Sequence, residues 1–106
     1  MKFIAEIGWN FLGDMQLAKE MIKQASLSGA TIAKFQLWDP KNLTEGDWDN
    51  DGRRQLYEKS KLDISKISEL IDECNQNNIN FLMSVFEKGS LDLLSSIVNG
   101  CVKIPS

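Results

Sequence analysis

Five residues of the chain carry side chains able to hold an anion or move a proton, and each interrupts a short apolar stretch: Glu6, Lys34, Gln36, Ser84 and Lys103. Glu6 follows Ile4-Ala5, Lys34 and Gln36 alternate with Ala33, Phe35 and Leu37, Ser84 follows Leu82-Met83, and Lys103 stands between Val102 and Ile104. Two ammonium groups with a hydroxyl and an amide donor suit a phosphate or a carboxylate. A single glutamate beside them suits proton handling or substrate orientation. The plainer alternative is an ion pair of Glu6 with Lys34 between neighbouring strands. It leaves Gln36, Ser84 and Lys103 without a purpose, because a core gains nothing from three further polar groups at one rim.

Other candidates read more simply as structure. Gly8, Asn10, Gly13 and Asp14 suit either a ligand at a strand–helix turn or a tight turn followed by a helix cap, and the Gly-Lys-Ser/Thr ending of a phosphate-binding loop is missing. Asp47, Asp49, Asn50 and Asp51 lack the spacing of a calcium loop and read as a solvated segment. Trp9, Trp38 and Trp48 suit a sugar platform or packing, with packing favoured for Trp38. Cys74 and Cys101 have neither metal nor redox spacing and read as core filler. The chain contains no histidine, which excludes a histidine base, a Ser-His-Asp triad and a histidine-ligated metal within these residues.

The elements that must position the five residues alternate between strand and helix. Strands are expected over 3–8, 31–38, 79–86 and from Cys101 onward. A first helix starts at the cap Asp14, buries Ala18, Met21, Ile22 and Ala25 on one face, and stops at Gly29. A polar loop follows Asp39-Pro40 as far as Gly52, then a short helical turn over 53–59. Ser65 is expected to cap a second long helix that buries Ile67, Leu70, Ile71 and Cys74 and ends at the Asn-Gln-Asn-Asn run of 75–78. A short helix is expected over 90–98. Such alternation builds parallel βα units, and every strand brings a polar or charged side chain toward its C-terminal half, the end at which α/β proteins bind ligands. A doubly wound sheet and a (β/α)8 barrel share the pattern. The barrel is preferred, with residues 1–106 as its N-terminal portion: three βα units plus a fourth strand in the order 1-2-3-4. An unrelated flavodoxin-like domain is the rival that strand order decides.

Composition sets the remaining bounds. The 106 residues are 42% apolar and 25% charged, the mix of a globular chain. A net charge of −3 gives no basic footprint for nucleic acid, and no apolar run approaches the ~20 residues of a membrane span. No signal peptide is read at the start, and two cysteines make the reduced cytoplasm the expected compartment.

The blocks Ile4-Ala5-Glu6-Ile7-Gly8 with Asn10 and Gly13-Asp14, Lys34-Phe35-Gln36, Leu62-Asp63-Ile64-Ser65, Phe81-Leu82-Met83-Ser84-Val85-Phe86 and Lys103-Ile104-Pro105-Ser106 come in an order and spacing that resembles the start of the sialic acid synthases. The resemblance implies a (β/α)8 barrel, phosphoenolpyruvate and an N-acetylated amino sugar as substrates, and condensation of the two with release of phosphate. It implies that Lys34, Gln36, Ser84, Lys103 and Ser106 contact phosphoenolpyruvate and that Glu6 lies near the reacting centre. It implies a divalent cofactor, manganese or magnesium, whose ligands are not in this chain. The family's Asn-His-Asn-Gly-Asp turn is Asn10-Phe11-Leu12-Gly13-Asp14 here. The alternative is a non-catalytic half-barrel that binds an anionic metabolite or assembles with a partner. A homodimer, or pairing with a missing C-terminal half, is expected, and the chain alone is expected to be inactive.

Overall fold

The computed structural model describes residues 1–86, Asp92 and the backbone of Val102–Lys103. Strands β1 (Ile4–Gly8), β2 (Ile32–Leu37), β3 (Asn80–Val85) and β4 (Val102–Lys103) form one sheet in the order β1-β2-β3-β4, with all three pairings parallel. The consecutive order removes the flavodoxin-like rival, which requires a strand on the far side of the first. The expected helix over 90–98 lies outside the described residues.

Helix α1 (Met15–Leu27) follows β1, α2 (Arg53–Ser60) and α3 (Ile64–Gln76) follow β2, and two 3-10 turns, Pro40–Asn42 and Asp47–Asp49, organise the loop between β2 and α2. Asp14 caps α1, its carboxylate accepting from the Leu17 N–H at 3.1 Å. The cap of α3 is Asp63, whose carboxylate accepts from the Lys66 N–H at 2.8 Å. The expected cap Ser65 instead lies inside the helix, because an acceptor three residues before an exposed N–H is what satisfies the first turn.

Both long helices end in the same way. The N–H groups of Gly29 and Ala30 return to the carbonyls of Ser26 and Ala25, and those of Asn78 and Ile79 return to Asn75 and Cys74. Gly29 (φ +94) and Asn78 (φ +54) take the left-handed conformation that these closures need. Each closure turns the chain directly into the next strand.

α1 packs on β1, α3 packs on β3, and the two helices pack on each other, so they share one side of the sheet. That side holds the core: Ile7, Ala33, Phe35, Leu37, Met83 and Val85 from the strands meet Ala18, Ile22, Ile67, Leu70 and Cys74 from the helices. Phe35 sits at its centre, edge-on to Phe11 at 6.1 Å and stacked with Phe81 at 5.5 Å. Strand alternation then places Lys34 and Gln36 on the opposite side, where no described helix lies.

Candidate site at the strand ends

Register brings the predicted residues together in two adjacent rows. Glu6 pairs with Lys34, and Lys34 with Leu82; one step further along, Gln36 pairs with Ser84, and Ser84 with Lys103. Lys34 Nζ lies 3.2 Å from Glu6 Oε2, and Gln36 Nε2 donates to Glu6 Oε1 at 3.3 Å. One carboxylate thus holds an ammonium and an amide on the side away from the helices. Ser84 is 4% exposed. Lys103 joins the second row through its backbone; its side chain and all of Ser106 lie outside the described residues.

The Glu6–Lys34 pair of the plainer reading is therefore real, but it is not self-contained. Glu6 is 45% and Lys34 22% exposed at the side chain, a partly solvated pair of the kind that contributes at most ~1 kcal/mol. It also accepts Gln36, and the row continues into Ser84.

Beyond the strand ends the chain closes a hollow of about 430 Å³ lined by Gln36, Trp38, Asp39, Asn42, Leu43 and Phe86. Gln36 belongs to both the row and the hollow. Burial raises the Asp39 carboxyl, but the Lys41 N–H, the Lys61 ammonium at 3.1 Å and the Lys41 ammonium outweigh it and hold the group below its ordinary value. Asp39 is thus an anion fixed between the first 3-10 turn, which it caps, and Lys61 at the C-terminal end of α2. Sequence reasoning did not find Asp39, Asn42, Leu43 or Phe86 as site residues. Asp39 and Phe86 stand just past the ends of β2 and β3, which is a signal; Asn42 and Leu43 lie further on, at the end of the first 3-10 turn, and carry none.

The tryptophans form a connected row. Trp9 stacks on Trp38 at 4.1 Å and 14°, Tyr57 meets Trp38 edge-on at 5.4 Å, and Trp48 reaches Tyr57 from the far side under the Arg54 guanidinium. Packing holds for Trp38 as expected, and one flank of it still faces the hollow.

The turn residues are structural. Asp14 is spent on its cap, and Gly13 (φ +80) lies so close to α2 that a Cβ would meet the Lys59 carbonyl at 2.7 Å. The acidic loop is likewise occupied: Asp49 binds the Gly46 N–H and Arg54, and Asp51 binds Arg53, which holds both carboxyls below their ordinary range. Among the described residues no three His, Cys, Asp or Glu side chains gather as metal ligands, and the sequence has no histidine. These described residues do not fit the divalent ion that the resemblance implies. No described helix is long and apolar enough to cross a membrane.

The model of the NeuB family matches residues 21–106. The chain is 35% identical to N,N'-diacetyllegionaminic acid synthase of Campylobacter jejuni, over 97% of this chain and 34% of that protein. It is 33% identical to N-acetylneuraminate-9-phosphate synthase of Drosophila melanogaster, over 97% of this chain and 30% of that protein. Among solved structures, the N-acetylneuraminic acid synthetase of Leptospira borgpetersenii, crystallised with citrate, superposes with a TM-score of 0.83 at 28% identity, over 95% of this chain and 34% of the other. The chain thus spans about a third of the length of the relatives it matches.

Proposed function

The chain belongs to the NeuB family, and on that premise we propose that it supplies the phosphoenolpyruvate-binding part of a nonulosonic acid synthase, built as the first strands of a (β/α)8 barrel. The observation that carries the reading is the row Glu6–Lys34 in mid-strand with Gln36–Ser84 beside it toward the C-terminal ends of parallel strands, on the face where no described helix lies. The consecutive parallel order and the two helices sharing one side support the barrel.

In this reading Lys34 and Lys103 neutralise the phosphate and carboxylate, while the Gln36 amide and the hydroxyls of Ser84 and Ser106 donate hydrogen bonds that fix the enol ester. Glu6 holds Lys34 and Gln36 in place and stands near the new bond. The reaction joins the methylene carbon of phosphoenolpyruvate to the aldehyde carbon of an open-chain N-acetylated amino sugar. Water adds to the cationic carbon left behind, and phosphate departs with its C–O bond broken. The sugar enters from the hollow beyond Gln36. No step is assigned to a metal, because the donor set described above does not provide for one.

The test is twofold. Calorimetric titration is expected to show binding of phosphoenolpyruvate that Lys34→Gln weakens at least tenfold, since a charge-assisted bond to an anion is worth roughly 1.5–3 kcal/mol. Phosphate release from phosphoenolpyruvate with N-acetylmannosamine and manganese is expected to be absent for these 106 residues. Absence of binding overturns the reading. Turnover abolished by Lys34→Gln shows that the chain is sufficient on its own. Binding without turnover also fits the non-catalytic module; restoring turnover by adding the segments that the longer relatives possess separates the two.

A further inference from the structure

We propose that Trp9 is a positioning residue for this site: it fixes Gln36 from behind through its indole N–H and fixes Trp38 through its ring. The role rests on the reading of the strand-end hollow as the substrate site, and it goes beyond it by naming what holds two of the hollow's walls.

The argument begins with the sheet. The Asn80 N–H donates to the Thr31 carbonyl at 2.9 Å and the Phe86 N–H to the Leu37 carbonyl at 3.3 Å. Odd-numbered carbonyls along β2 therefore face β3, and even-numbered ones, Gln36 included, face β1. At that point β1 has left the regular ladder: its register shifts between Glu6 and Gly8, and Gly8 (φ +57) turns the chain away. The donor that meets the Gln36 carbonyl is the Trp9 indole, at 2.8 Å. The same side chain stacks on Trp38, which Tyr57 flanks edge-on. Both contacts of Trp9 thus fall on residues lining the hollow, although Trp9 itself does not line it. Gln36 in turn carries the hydrogen bond to Glu6, which holds Lys34. A displacement of the Gln36 backbone is felt at the ammonium that would meet the phosphate.

NMR on the 106-residue chain reads this without a ligand. A through-hydrogen-bond coupling is expected between Trp9 Nε1 and the Gln36 carbonyl carbon, and its absence overturns the proposal whatever the variants do. In Trp9→Phe, which keeps a ring but loses the donor, the Gln36 side-chain amide and the Trp38 indole signals are expected to move or broaden while those of Ile22 and Leu70 stay. Phosphoenolpyruvate affinity is expected to fall roughly three- to tenfold, the worth of one lost hydrogen bond. Trp48→Phe, at the far end of the aromatic row, is expected to leave both readouts unchanged. Unmoved Gln36 and Trp38 signals in Trp9→Phe overturn the positioning role. Moved signals with unchanged affinity show Trp9 to be structural only, which also overturns it. A parent that binds no phosphoenolpyruvate overturns the functional reading, and the ligand-free signals then decide the role of Trp9 by themselves.

Discussion

A residue's chemistry here follows its surroundings more than its type. Cys74 could be a nucleophile by composition, but it is fully buried among Ile67, Leu70 and the strands, and burial, followed by the neighbouring Glu73 charge, pushes its thiol up to about 12. Almost no thiolate exists at neutral pH. Peptide mapping after treatment with a thiol reagent is expected to find Cys74 unmodified in the native protein and fully modified in denaturant; modification without denaturant would refute the burial. Asp39 runs the opposite way. Its folded carboxyl is held below the ordinary value, so it contributes stability that is fully present above the unfolded pKa near ~4 and is lost as pH falls through the lower folded value. The stability difference between the parent and Asp39→Asn, measured by urea unfolding, is expected to be largest at neutral pH and to vanish in strong acid. The candidate residues Lys34, Gln36 and Ser84 stand out in the sequence because apolar strands of a parallel sheet seldom carry polar side chains. Asp39 was not legible, because an aspartate before proline reads equally well as turn chemistry.

At the scale of elements, local signals worked where one residue sufficed and failed where a competing donor or acceptor stood nearby. Asp14 and Gly29 marked the ends of α1 correctly. α3 begins two residues earlier than the apolar spacing suggested, since Asp63, not Ser65, reaches the Lys66 N–H. The loop after β2 was legible as polar but not as ordered. Its two 3-10 turns depend on side-chain caps by Asp39 and Asp49, which no periodicity announces. The glycines give a comparative prediction. Gly29 needs its positive φ but has open space around it, so Gly29→Ala pays only the backbone cost of ~1–2 kcal/mol. Gly13 has the same backbone need and also presses on the Lys59 carbonyl. Gly13→Ala is expected to destabilise more than Gly29→Ala in chemical denaturation; equal effects would mean that the turn and α2 do not bear on each other. Leu12 supplies the reverse case: it holds φ +50 while 47% exposed, so Leu12→Asn relieves left-handed strain at little cost in burial and is expected to raise stability by ~0.5–1 kcal/mol.

For the whole molecule, the alternation of strand and helix made the α/β class and the strand order legible, because each connection is long enough to cross over and none has to return across another. The preferred barrel also implied an imbalance between the two sides of the sheet, with helices on the outer face alone. One side is closed by α1 and α3; the other carries Ile4 and Ile32 below the polar rows and Leu82 beside Lys34 within the first, with no described helix upon them. β1 also has no described strand on its outer edge, and Phe3 and Ile4 are 58% and 54% exposed there. An open edge with apolar side chains beside it is a template for pairing. Association of the chain at micromolar concentration is therefore expected in sedimentation velocity. Ile4→Lys places a charge beside that edge and outside the helix-facing core. It is expected to shift the distribution toward monomer. A parent that sediments as a clean monomer would show that the exposed edge is not used. Association unaffected by Ile4→Lys would move the contact to another surface.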